Sequence, residues 1–177
     1  MFKYGSTRIN ILQGDITQIS VEGIVNAANN TLLGGGGVDG AIHRVGGKTI
    51  LEQCKKIGGC PTGEARITTG GNLPSNYVIH TVGPIYKEGK SGEEKLLYNA
   101  YHNSLKLAKE YSIKTIAFPS ISTGAYGYPI EEALVIAVKS IMDFIDNEQF
   151  PLEVTFVLFN SRDYSLYNEY LNNIFES

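Results

Sequence analysis

Long apolar runs are missing from this chain of 177 residues. No stretch approaches the roughly 18 unbroken apolar residues that a membrane span needs. Met1–Arg8 also lacks the apolar core of a secretion signal, so a cytoplasmic protein is expected. An excess of basic charge is missing too. Lys and Arg number 15 against 18 Asp and Glu, a formal net charge of -3. That balance argues against gripping nucleic acid by bulk charge. Cysteine is scarce: Cys54 and Cys60 make no disulfide framework, and a reduced, structural pair is expected. Neither thiol falls at metal-ligand spacing from His43, His80 or His102, so no metal and no cofactor is anticipated. No linker, low-complexity run or internal repeat divides the chain. One domain over 1–177 is therefore expected, with enough apolar residues (42%) to build a sizeable core.

Glycine, by contrast, is abundant. The chain has 20, and seven of them fall within the fourteen residues Gly34–Gly47. Glycine lets a backbone approach a ligand closely. A glycine loop that runs into a helix offers unpaired N–H groups at the positive end of a dipole, a cradle suited to phosphate. Gly34-Gly35-Gly36-Gly37-Val38-Asp39-Gly40, ahead of a short helix, has that form. A flexible linker would have no reason to continue directly into a helix.

Strand-like and helix-like segments alternate along the rest. Strands are predicted at Thr7–Gln13, Gly23–Val25, Arg66–Thr69, Tyr77–Thr81, Thr115–Phe118 and Val154–Phe159. Helices are predicted at Val38–Val45, Lys48–Lys56, Ile130–Ile145 and Asp163–Phe175. Gly46-Gly47 and Gly58-Gly59 read as helix stops. Ser91 with Glu94 reads as a capping box opening a further helix to about Tyr111, with Leu97, Tyr101, Ser104, Ala108 and Tyr111 on one face. This order implies an α/β layered domain with helices on both faces of the sheet. Ligands of such sheets collect at the carboxyl ends of the strands.

Two phosphate motifs compete for the glycine cluster, and neither holds. Gly35-x-Gly37-x-x-Gly40 satisfies the dinucleotide fingerprint, yet Asn26–Leu33 intervenes where a strand should lead straight in. Gly46-Gly47-Lys48-Thr49 resembles the end of a P-loop, but the first glycine of that motif would have to be Ile42. Other polar residues stand at segment ends. Asp15 is suited either to cap a helix or to accept hydrogen bonds from a ligand amino group. Asn26 and Asn29 suit a turn or a sugar hydroxyl. Asp39 and His43 lie one helical turn apart and so share a face. Ser120–Gly127 is a second loop rich in hydroxyls and glycine.

Gly14-Asp15-Ile16-Thr17, Val25-Asn26-Ala27-Ala28-Asn29, Leu33–His43, Thr62-Gly63-Glu64-Ala65, His80-Thr81-Val82-Gly83-Pro84 and Phe118–Pro129 together resemble the macrodomain family. The likeness is to its MacroD type, which includes bacterial O-acetyl-ADP-ribose deacetylases. It covers about Arg8 to Phe159, and several such blocks in order are far more specific than any one of them. The resemblance implies a three-layer α/β/α fold with a central mixed, mainly parallel sheet and a cleft for ADP-ribose. It implies that Asp15 binds the adenine amino group, with the Ile16 N–H nearby. Gly35, Gly36, Gly37 and Val38 on one side, and Ser122, Thr123, Gly124, Ala125 and Tyr126 on the other, would clasp the diphosphate. Asn29 would hold the distal ribose, Asn26 would be architectural, Phe159 would pack by the adenine and Asn160 would contact its ribose. Ala125 departs from the bulkier Ile or Val common in that loop, which implies a looser gate.

The same resemblance implies an enzyme, because hydrolytic members keep an acidic residue at the position of Asp39 and a histidine at that of His43. The implied reaction is hydrolysis of ester-linked ADP-ribose, on protein Asp or Glu side chains or in O-acetyl-ADP-ribose. Asn29 orients the ribose and Asp39 positions or deprotonates a water, with His43 beside it. A variant has the diphosphate activate the water while Asp39 only orients the ribose. The alternative is a non-catalytic reader of ADP-ribosylated proteins. A monomer is expected, with ADP-ribose derivatives and mono-ADP-ribosylated proteins as partners.

Overall fold

The computed structural model describes residues 1–175. Its strands are β1 (Phe2–Tyr4), β2 (Thr7–Gln13), β3 (Gly23–Ala27), β4 (Ala65–Thr69), β5 (Tyr77–Thr81), β6 (Thr115–Phe118) and β7 (Glu153–Leu158). Its helices are α1 (Gly37–Gly46), α2 (Lys48–Ile57), α3 (Glu93–Glu110), α4 (Ile130–Glu148) and α5 (Ser161–Ile174). The strands form one sheet in the order β1-β2-β7-β6-β3-β5-β4. The five middle strands run parallel, while β1 on β2 and β4 on β5 are antiparallel edges. The mixed, mainly parallel sheet expected from the sequence is therefore present.

Side-chain alternation decides which helices cover which face. Val25, Ile79, Ile116, Phe118 and Phe156 point toward the core shared with α3, α4 and α5. Their chain neighbours Ile24, Val78, Ala117 and Val157 point the other way, into a smaller core with Ile42 of α1 and Ile50 and Cys54 of α2. Because successive strand residues face opposite sides, apolar runs without polar alternation require both faces to be covered. The result is three layers. Cys54 and Cys60 are buried free thiols, and burial pushes the Cys54 thiol up to about 11, so neither is a ready nucleophile.

Several boundaries differ from the sequence reading. The expected capping box at Ser91 and Glu94 is absent: α3 starts after Gly92, with no side-chain cap. Instead the buried Glu93 carboxylate accepts from the N–H groups of Lys87, Gly89 and Ser91. A carboxylate that collects three backbone donors is satisfied in place, which outcompetes a serine hydroxyl. Tyr111 lies past the end of α3 and is 43% exposed rather than on its buried face. The last strand stops at Leu158, leaving Phe159 outside it. β1 carries too short a pattern to be read from sequence.

The core also reaches the ligand edge. Tyr101 of α3 is fully buried against Phe118, and its hydroxyl accepts from the Ile121 N–H at 3.2 Å, at the start of the second glycine- and hydroxyl-rich loop. Tyr101→Phe leaves that N–H buried without a partner and is expected to cost about 1–2 kcal/mol. Urea denaturation with an unchanged slope reads the loss.

Candidate functional site

All five parallel strands present their carboxyl ends at one edge of the sheet, and the expected site residues gather there. A cleft of about 310 Å³ opens between the loop after β3 and the loop after β6. Asn29, Gly35, Gly36, Gly37, Val38 and Asp39 form one wall, and Ser122, Gly124, Ala125 and Tyr126 form the other. Ala27, Ala28, Gly83, Ser120 and Ile121 complete it; the sequence reading gave none of these a ligand role. His43 and Thr123, also expected in the site, are not among the residues that line it. Asp15 and Ile16 follow β2, and Phe159 and Asn160 follow β7, so they share the edge but not the cleft.

The first wall is shaped by helix-start geometry. Gly36 caps α1 without a side-chain partner, and the first-turn N–H groups have no intrahelical acceptor. They point with the dipole toward the cleft mouth. A Cβ at Gly35 would lie 3.2 Å from Asp39 Oδ2 and 3.4 Å from Asn29 Nδ2, so glycine keeps the space between those two groups open. Asn29 fixes this loop, donating to the Gly34 carbonyl at 3.0 Å and accepting from Thr31 N–H and hydroxyl at 3.1 and 2.7 Å.

The second wall holds a strained residue. Ser122 has φ of 67°, in the left-handed region that non-glycine residues rarely adopt. Its hydroxyl is buried without a partner. Gly83, in the loop after β5, lies so close that a Cβ there would collide with Ser122 Oγ and Ile121 Cγ2. Thr123, whose hydroxyl donates to Ser120 Oγ at 2.7 Å, staples the same loop.

Asp39 is 5% exposed and is held from below. Its Oδ1 accepts from Asn26 Nδ2 at 2.8 Å, and the second N–H of that amide donates to His80 Nδ1 at 3.1 Å. On the far side of the ring, His80 Nε2 is 2.9 Å from the Thr68 hydroxyl, whose own proton goes to the Thr69 carbonyl. That hydroxyl must therefore accept from His80, which fixes a neutral ring protonated at Nε2. Burial, then the neighbouring His43, lowers the His80 pKa to about 3 and keeps the ring neutral. Turning the Asn26 amide over would set its oxygen against the carboxylate. His43 Nε2 approaches Asp39 Oδ1 to 3.4 Å, too poorly aligned for a hydrogen bond. Asp39 Oδ2 is buried, without a partner, in the cleft wall.

Asn26 thus has the architectural role expected of it, while His80 and Thr68 were not singled out. His80 lies two residues after Val78 on one strand face and Thr68 pairs with Val78 across the sheet, but buried polar residues among apolar neighbours are commonly structural. Asp15 caps a single 3-10 turn (Ile16–Gln18), accepting from Thr17 N–H and hydroxyl at 2.9 and 2.7 Å. Phe159 is 83% exposed, and Asn160 caps α5 by accepting from the Asp163 N–H at 2.8 Å. No helix among the described residues is long and apolar enough to cross a membrane.

Comparison with known proteins gives a consistent result. The Macro domain family model matches residues 25–137. The chain is 58% identical over 153 residues to a Macro domain-containing protein of Methanosarcina mazei, covering 86% of this chain and 82% of the relative. It is 54% identical over 169 residues to the O-acetyl-ADP-ribose deacetylase of Escherichia fergusonii, covering 93% and 96%. Among solved structures, an Oceanobacillus iheyensis macrodomain with ADP superposes with a TM-score of 0.94 at 46% identity, over 99% of this chain and 96% of that one. A Trypanosoma brucei macrodomain in complex with ADP-ribose superposes at 0.87 with 39% identity, over 93% and 69%.

The buried network has a pH signature. Between about pH 3 and 6.5 the unfolded chain binds a proton at His80 that the folded chain does not. Stability is therefore complete above pH 6.5 and is lost as pH falls through that window, at about 1.4 kcal/mol per unit. Denaturation of the wild type at pH 6.5 and 5 is expected to differ by about 2 kcal/mol more than that of His80→Gln. Equal slopes would exclude a neutral buried His80.

Proposed function

The chain belongs to the Macro domain family, and from that premise we propose that it is an ADP-ribose-binding hydrolase that cleaves ester-linked ADP-ribose. The observation that carries the reading is Asp39 Oδ2: a buried carboxylate oxygen with no partner, in the wall of a cleft whose two loops are built for an anion. Relatives named O-acetyl-ADP-ribose deacetylase, at 50–54% identity over nearly the full length of both chains, support an enzyme over a reader that only binds.

The family resemblance, laid onto the strand order, supports one direction for the ligand. β2 and β7 lie at one end of the edge, so Asp15, the Ile16 N–H, Phe159 and Asn160 take the adenine nucleoside. β6 and β3 come next, and the diphosphate lies between Gly35–Val38 and Ser122–Tyr126. Backbone donors suit its spread negative charge. The distal ribose then meets Asn29 and Asp39. There Asp39 Oδ2 holds a water or a ribose hydroxyl, while Oδ1 stays pinned by Asn26. Hydrolysis consumes one water: the ester C–O bond breaks, the carboxylic acid leaves and ionises, and the ribose keeps a hydroxyl. His43 packs beside Asp39 and limits its movement.

Substrates on this reading are O-acetyl-ADP-ribose and proteins mono-ADP-ribosylated on Asp or Glu, handled by a monomer without metal or cofactor. Asp39→Ala is expected to keep ADP-ribose affinity while turnover of both substrates falls about a hundredfold. Undiminished turnover would leave activation of the water to the substrate diphosphate, and release from neither substrate by the wild type would leave a reader. Thr68→Val removes the acceptor behind His80 and is expected to lower kcat about tenfold with KM little changed, while Thr68→Ser restores it.

A further inference from the structure

A second cleft, of about 230 Å³, adjoins the first and shares two of its walls, Gly83 and Tyr126. Asn30 and Thr62 form one side; Pro84, Ile85 and Lys87 of the loop after β5 form the other, with Leu96 of α3. Nothing in the hydrolase reading so far uses it.

Its place is fixed by topology. Along the sheet the order is β2, β7, β6, β3, β5. A ligand laid from Asp15 across the two glycine loops reaches Asn29 and Asp39 after β3. The next loop along the edge is the one after β5, which lines the second cleft. Asn30, the chain neighbour of Asn29, lines it as well. The cleft therefore continues the site beyond the reacting ribose rather than beyond the adenine.

It is also a built feature. The Glu93 carboxylate gathers the N–H groups of Lys87, Gly89 and Ser91 and so fixes the rim. The Tyr86 N–H donates to the Tyr126 carbonyl at 2.8 Å, and the Tyr86 ring packs on Tyr128 at 4.9 Å between centroids. The shared wall is thus tied to both loops. Ile85 leaves an apolar side chain 56% exposed beside Pro84. Lys87 is exposed and has no ion-pair partner among the described residues, whereas Lys90 pairs with Glu88. Glu93 lines the cleft as well, but its carboxylate is taken up by those N–H groups. An apolar rim beside a free cation therefore suits a peptide with further acidic residues near the ester, whose own side chain is uncharged until release.

We propose that this second cleft binds the acyl side of the ester, the polypeptide segment flanking an ADP-ribosylated Asp or Glu. The inference rests on the hydrolase reading, and it makes the cleft a determinant of specificity. Acetate is too small to span it, whereas a protein substrate gains contacts there. On release, the new carboxylate emerges beside Lys87.

The test is the double variant Ile85→Glu/Lys87→Glu, which places negative charge at two exposed positions. Its kcat/KM on a glutamate-ADP-ribosylated protein is expected to fall about tenfold or more, with O-acetyl-ADP-ribose hydrolysis kept within about twofold. A parallel fall on both substrates, or no change on either, overturns the proposal. A second arm needs no turnover. A peptide carrying ADP-ribose through a hydrolysis-resistant amide is expected to bind the wild type about tenfold tighter than ADP-ribose alone, and the variant should lose that margin. Equal wild-type affinity for the two ligands overturns the second cleft even if hydrolysis is absent. Absence of hydrolysis by itself counts against the hydrolase reading, and the binding arm still decides the cleft.

Discussion

The hydrogen bond from Asn26 to Asp39 is the constraint on which the rest of the site depends. A buried carboxylate is costly unless donors satisfy it, and it is useful only if one oxygen stays uncommitted. Asn26 meets both demands by holding Oδ1 at 2.8 Å while Oδ2 faces the cleft. An amide can do this reliably only if it cannot turn over. The lone pair on His80 Nδ1 enforces its orientation, and the Thr68 hydroxyl enforces that of His80. A chain of three neutral side chains thus aims one charged group. Because each member sits on β3, β4 or β5, the aim is as rigid as the sheet.

The sheet also acts as a ruler. Neighbouring strands lie about 4.8 Å apart, so loops after successive parallel strands present contacts at regular steps along one edge. The antiparallel edge strand β1 adds no loop to that edge, whereas β4 starts there, so that Thr62 in the segment before it lines the second cleft. An elongated ligand with distinct adenine, diphosphate and ribose parts matches such an edge. The second cleft is simply its last step. In the middle of that edge Ser122 adopts φ of 67° against Gly83. Backbone strain of this kind persists only where surrounding packing determines it, and here Tyr101 and Thr123 supply that packing.

Much of this was legible without coordinates. Apolar patterning gave β2, β5 and β6 with their observed bounds, and glycine stops marked the ends of α1 and α2. The two cleft loops announced themselves by glycines and hydroxyls at strand ends. Other features were not legible for identifiable reasons. β1 has too few residues to show a period. The start of α3 is decided by Glu93 collecting backbone donors from a preceding loop, and no local pattern signals that. Asp15 and Asn160 carry ligand roles by resemblance, yet each caps a helical turn in the fold; cap and ligand use have the same residue preference, so sequence cannot separate them.

Sequence alone therefore determined the layered α/β class, the helix and strand periods, the glycine- and hydroxyl-rich loops and the shared helix face of Asp39 and His43, since each depends on spacing within one short segment. Only the tertiary structure decided which oxygen of Asp39 is free, that His80 and Thr68 stand behind it, that Gly83 presses on Ser122, and that a second cleft adjoins the first. Those facts join residues from different strands and loops, and strand order, which no local pattern encodes, is what brings them together.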